Sequence, residues 1–84
     1  MSQFEKIVIE NEELLGKGFY EKTDTGLIIK SSDQAVKDFF KTVIRNKKSL
    51  GTIEFYSNSG FEGMHSGRFR IRKIDGDTIV LTHI

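Results

Sequence analysis

"RFRIRKIDGDTIVLTH", residues 68–83, carries the decision about the fold. Arginine alternates with apolar residues from Arg68 to Arg72, Asp75-Gly76-Asp77 interrupts, and a β-branched run follows. A period of two marks a strand with one buried and one solvated face, and Asp-Gly sets a tight antiparallel turn. Two registers are open. A two-residue turn at Asp75-Gly76 puts Arg70 beside Leu81 and Arg72 beside Ile79, charge against apolar. A three-residue connection from Asp75 to Asp77 pairs Ile71 with Leu81 and Lys73 with Ile79. It gathers Phe69, Ile71, Ile79 and Leu81 on one face and leaves Arg68, Arg70 and Arg72 on the other with Val80 and Thr82. A slip of one residue turns every side chain over, so this second register is the expected one.

Upstream, residues 58–67 ("NSGFEGMHSG") show no period and read as a loop. Phe61 and Met64 in it either plug the open end of a small barrel or stand out as a partner anchor, the plug being preferred in a chain short of core. Residues 51–57 alternate, with Ile53 and Phe55 on one face and Thr52, Glu54 and Tyr56 on the other. Before them lies the one helical pattern. Val36, Phe39, Phe40, Val43 and Ile44 recur at helical spacing and form an apolar stripe. Ser31 with Gln34 three residues on suggests a capping box. Lys41, Arg45, Lys47 and Lys48 crowd the C-terminal half, where cations suit the helix dipole.

Three strands are expected ahead of the helix: residues 4–10, 16–22 and 26–30. In the first, Ile7 and Ile9 share a face opposite Phe4, Lys6 and Val8. "NEELL" after it reads as a turn or a single helical turn, and "TDTG" as the turn of a hairpin. The fold class is therefore α+β, in the order β-β-β-α-β-β-β: about six strands in a small, curled antiparallel sheet with one amphipathic helix packed on it. Residues 1–84 read as a single domain. The glycine-containing stretch, strand, tight turn and final apolar strand of the last third resemble Sm-like and SH3-like small barrels. That resemblance implies an architecture and assigns no residue a role.

Composition narrows the function. The chain has no cysteine, hence no disulfide framework, thiolate metal site or cysteine nucleophile. No apolar run reaches membrane-spanning length, and the acidic start "MSQFEKIVIENEE" lacks the features of a signal peptide, so a soluble cytoplasmic protein without membrane partners is expected. Net charge is +1 but unevenly spread. Residues 1–40 hold five Lys against eight acidic residues, while residues 41–73 hold eight Lys or Arg against Glu54 and Glu62 alone. Such segregation suits an acidic partner, head-to-tail contact between copies, or pairing inside the chain.

No cofactor signature is present: "GFEGMHSG" has neither dinucleotide-binding nor P-loop spacing. No metal is expected either, because Asp75, Asp77 and Thr78 lack the later acidic ligand of a calcium loop. His65 and His83 are the only imidazoles, and an enzyme built around His65 with Glu62 ranks third. First is a non-enzymatic binding or regulatory module of the accessory or phage type, acting on a protein partner or on copies of itself through Arg68, Arg70, Arg72, Tyr56, Phe61 and Met64. Second is single-stranded nucleic acid. Alternate strand residues lie about 6.6–6.8 Å apart, near the phosphate spacing of an extended strand, and Tyr56 on the neighbouring expected strand would offer a stacking platform. Pairing of the arginines with Glu54 across the sheet is the plainer alternative.

Overall fold

A computed structural model describes residues 1–84. Along the chain run β1 (Ser2–Ile9), β2 (Glu12–Lys22), β3 (Gly26–Lys30), α1 (Gln34–Arg45), β4 (Ser49–Leu50), β5 (Ile53–Ser57), β6 (Gly60–His65), β7 (Phe69–Asp75) and β8 (Thr78–His83). The strands form one antiparallel sheet in the order β4-β7-β8-β3-β2-β1-β5-β6. Eight strands stand where six are expected. β4 emerges from the end of the helical pattern, and β6 from the stretch read as a loop.

Two residues, Gly51 and Thr52, separate β4 from β5, yet β4 pairs with β7 while β5 pairs with β1. The sheet therefore rolls until its far end returns to this segment. β6 is left outside the roll, hydrogen-bonded to β5 alone.

The inner face supplies a continuous core of sixteen buried residues, with Phe4, Phe40, Phe55 and Phe69 the largest fully buried side chains. α1 contributes Val36, Phe40 and Val43 to it; Phe39 is half-buried and Ile44 is exposed. The helix can lie this close because β2 carries Gly16, where a Cβ would come within 2.4 Å of Val36 Cγ2. The cap differs from expectation. Asp33, not Ser31, is the N-cap, its Oδ1 accepting from Ala35 N at 3.2 Å. Ser31 is buried and otherwise engaged: its hydroxyl donates to the Lys17 carbonyl at 2.6 Å and accepts from Asp33 N at 3.1 Å, tying the helix entry to β2.

"NEELL" is neither helical nor all turn. Glu10 and Asn11, with φ of 51° and 70°, make a two-residue connection of the I′ kind, and Glu12–Leu15 already belongs to β2. In β1 the alternation breaks: Phe4 is buried together with Ile7 and Ile9, because the register with β2 shifts between Phe4 and Lys6. The last hairpin breaks in the same way. Phe69 faces His83 and Ile71 faces Leu81 as the side chains demand, but Lys73 then faces Val80 and Ile74 faces Ile79. The extra residue, Arg72, sits in a bulge within β7 rather than in the connection. This leaves only Gly76 and Asp77 between the paired Asp75 and Thr78. Gly76 takes φ +59°, the positive value that a turn matched to strand twist requires at that position.

Candidate functional site

The six residues singled out from the sequence fall on two separate surfaces. β7, bearing the arginines, lies between β4 and β8, whereas β5, bearing Tyr56, lies between β1 and β6. Tyr56 is thus no stacking platform beside the arginine row. Nor does Glu54 pair with an arginine; it accepts from the Tyr56 hydroxyl at 2.7 Å.

The first surface is a basic groove. One cleft of about 460 Å³ is lined by Ile44, Lys47, Lys48, Ser49, Arg70, Ile71 and Ile84. A second, of about 480 Å³, shares Arg70 and Ile71 with it and adds Thr25, Arg72 and Thr82. No Asp or Glu side chain lines either one. The ion pairs of the molecule are Lys6–Glu13 (3.3 Å), Lys37–Asp77 (2.8 Å) and Arg68–Glu10 (3.8 Å), so Lys47, Lys48, Arg70 and Arg72 are all unpaired. Arg68 stands apart from these four: its Nη2 donates to Ser49 Oγ at 2.6 Å, and Glu10 lies beside it.

Helix termination places the lysines. After the C-cap Asn46, the Lys47 N–H donates to the Ile44 carbonyl and the Lys48 N–H to the Val43 carbonyl, the pair of bonds of a Schellman motif. That motif needs a left-handed residue, usually glycine, and here Lys47 takes it with φ 54°. A side chain in this conformation costs about 1 kcal/mol or more, and the chain spends it on a cation at the groove. The sequence shows Lys47 and Lys48 only as partners of the helix dipole, because their nearness to β7 depends on the roll of the sheet.

The second surface is the outer side of β5 and β6. Gly60–His65 is a strand paired to β5, not a loop. Phe61 and Met64 are 58% and 56% exposed, so they plug nothing. The register shift at Glu62 puts both on the outward face, opposite Tyr56 and Glu54. Phe61 packs edge-on against Tyr56 at 5.6 Å, and the Lys6 ammonium lies 4.6 Å from the centre of the Tyr56 ring. Across β1, Leu15 extends the same row and is 72% exposed, a residue the sequence reading did not single out. Carboxylates are interspersed: Glu62 accepts from Ser57 Oγ at 2.8 Å, Glu13 pairs with Lys6, and Glu54 holds the Tyr56 phenol. That hydrogen bond, with burial and the charges of Glu54 and Glu13, raises the phenol above its ordinary pKa, so Tyr56 remains a neutral donor.

His65 and Glu62 are not brought together. Glu62 points outward to Ser57, while His65 lies opposite Ile53 with its ring edge against the stacked pair Tyr20 and Phe55, 5.7 Å from each. His65 Nε2 is buried without a hydrogen-bond partner. Burial first, then the nearby Lys22 and His83, lowers its pKa and keeps the ring neutral. His83 rests its ring on Phe69 at 4.4 Å. Asp77 of the turn is taken up by Lys37, and no three His, Cys, Asp or Glu side chains gather as a metal-binding group. No helix is long and apolar enough to cross a membrane.

No protein-family model, curated protein or solved structure matches the chain.

Proposed function

We propose that this protein is a non-enzymatic interaction module whose basic groove receives an acidic, apolar segment of a partner protein. One observation carries the reading: Lys47, Lys48, Arg70 and Arg72 line two adjoining clefts without a single acidic side chain, beside the exposed Ile44 and Ile84. Unpaired cations attract acidic groups, and the exposed Ile44 and Ile84 reward apolar side chains between them. Exposed ion pairs contribute only about 0.2–1 kcal/mol each, and a buried apolar side chain about 1.5–3 kcal/mol. After the cost of association, such a groove supports contacts with Kd of about a micromolar to a millimolar.

The row of arginines favours a second reading, single-stranded nucleic acid. It has Arg70 and Arg72 in its support and the distant position of Tyr56 against it. One titration separates the two. A labelled short peptide alternating glutamate with phenylalanine or leucine, and a short oligothymidylate, are each added to the protein at several salt concentrations. The peptide is expected to bind, and Arg70→Glu to weaken it at least about tenfold, a loss of about 1.4 kcal/mol. Binding of the oligonucleotide alone, with a salt slope made shallower by Arg70→Ala, transfers the groove to nucleic acid. No binding of either at low salt refutes both readings.

A further inference from the structure

We infer that the acidic, apolar segment fitting the groove is the β5–β6 arm of a second copy of this chain, so that copies join head to tail; this rests on the reading of the groove just proposed. The arm offers what the groove lacks. It holds Phe61 and Met64 outward, 58% and 56% exposed, with the carboxylates of Glu54 and Glu62 beside them. The groove presents Ile44 and Ile84, 37% and 73% exposed, beside unpaired Lys47, Lys48 and Arg70. Apolar meets apolar and each sign of charge meets its opposite.

The two surfaces do not satisfy each other within one chain. β6 pairs only with β5, β7 pairs with β4 and β8, and of all the basic residues from 41 to 73 only Arg68 has an ionic partner. The excess of positive charge in residues 41–73 thus remains unneutralised after folding, as does most of the acidic charge in residues 1–40. Because arm and groove are different patches, the contact is heterologous: each copy uses its arm on one neighbour and its groove on another, and assembly continues as a ring or an open chain. A dimer made by pairing two β6 edges would instead use one patch twice and ignore the groove.

Mixing two variants distinguishes these arrangements. Arg70→Glu spoils the groove and leaves the arm; Phe61→Ser spoils the arm and leaves the groove. Both side chains are exposed, so neither change touches the core. Wild-type protein is expected to gain mass with concentration in sedimentation, and each variant alone to associate at least about tenfold more weakly. An equimolar mixture is expected to form a complex of one copy of each and to stop there, because only one intact arm–groove pair remains. Association that survives Arg70→Glu, or a mixture that stays monomeric, overturns the head-to-tail contact. If the wild type stays monomeric up to about a millimolar while the acidic peptide still binds, the inference fails and the groove reading stands. If the peptide also fails to bind, both fall.

Discussion

The groove and the arm both sit on the outside of one rolled sheet, yet their charges are held in opposite ways. On the arm both carboxylates have a local partner: Glu54 the Tyr56 hydroxyl and Glu62 the Ser57 hydroxyl. Their side chains are ordered before any partner arrives, and Phe61 is braced against Tyr56. Around the groove, Lys47, Lys48, Arg70 and Arg72 are tied to nothing. Ordering a side chain on binding costs about 0.5–1.5 kcal/mol, so the arm enters a contact with that cost already met, and the groove meets it on contact. Pre-ordered surfaces discriminate by shape. Free cations attract from a distance and adapt.

The largest expected effect comes from removing the arm's foundation. Phe55 is fully buried, stacked on Tyr20 at 3.8 Å with its other neighbours Phe4 and His65. Phe55→Ala is expected to cost about 3–5 kcal/mol, read as a fall in the denaturant midpoint. Amide exchange should rise first in β6, because the arm hangs on β5 alone. If exchange rises first around α1 and β7 instead, the arm is not the more dependent region.

A smaller effect, of opposite sign, marks the groove. Lys47→Gly relieves the left-handed strain and is expected to stabilise by up to about 1 kcal/mol, while weakening capture of the acidic peptide. A variant that gains neither stability nor loses affinity would make Lys47 an ordinary cap.

The smallest concerns His65, under the arm. Its folded-state pKa lies below the ordinary value of 6.5 because burial disfavours the imidazolium. A base with a depressed folded pKa binds protons more readily when unfolded. Its contribution is therefore complete above about pH 6.5 and declines as pH falls through the folded value. Stability should begin to drop as pH falls below about 6.5, and His65→Gln should remove that part of the drop. The groove, which contains no histidine, should show no such dependence in peptide binding over the same range.

What could be read in the sequence depended on range. The helix was legible because its stripe repeats within a few turns, although Ser31 looked like the cap while its hydroxyl was needed by Lys17. The pairing of Ile71 with Leu81 was legible because side-chain sorting alone requires it. The bulge was less so, but its trace is present: Ile71-Arg72-Lys73-Ile74 sets two charged residues between two inward isoleucines, where a regular strand allows one. Phe4-Glu5-Lys6-Ile7 has the same form and the same shift of register. Phe61-Glu62-Gly63-Met64 repeats it with both apolar residues outward, which is why β6 lost its alternation and passed for a loop. Strand adjacency was not legible. Placing Tyr56 beside the arginines assumed that consecutive strands are neighbours, and the insertion of β6 and the roll of the sheet separate them. The same roll brings Lys47 and Lys48 to Arg70.

The position of β8 sets an order of events for the growing chain. β8 lies between β3 and β7, pairing Gly26 with Thr82 and Lys30 with Thr78. While residues 78–83 are still to be made, β3 has one open edge and the sheet cannot roll shut, however complete β1, β2 and α1 already are. Pairings of such long range are slow to form, and an open strand edge invites strands from other chains. Closure of the sheet therefore waits on its last strand, which acts as a zip between β3 and β7.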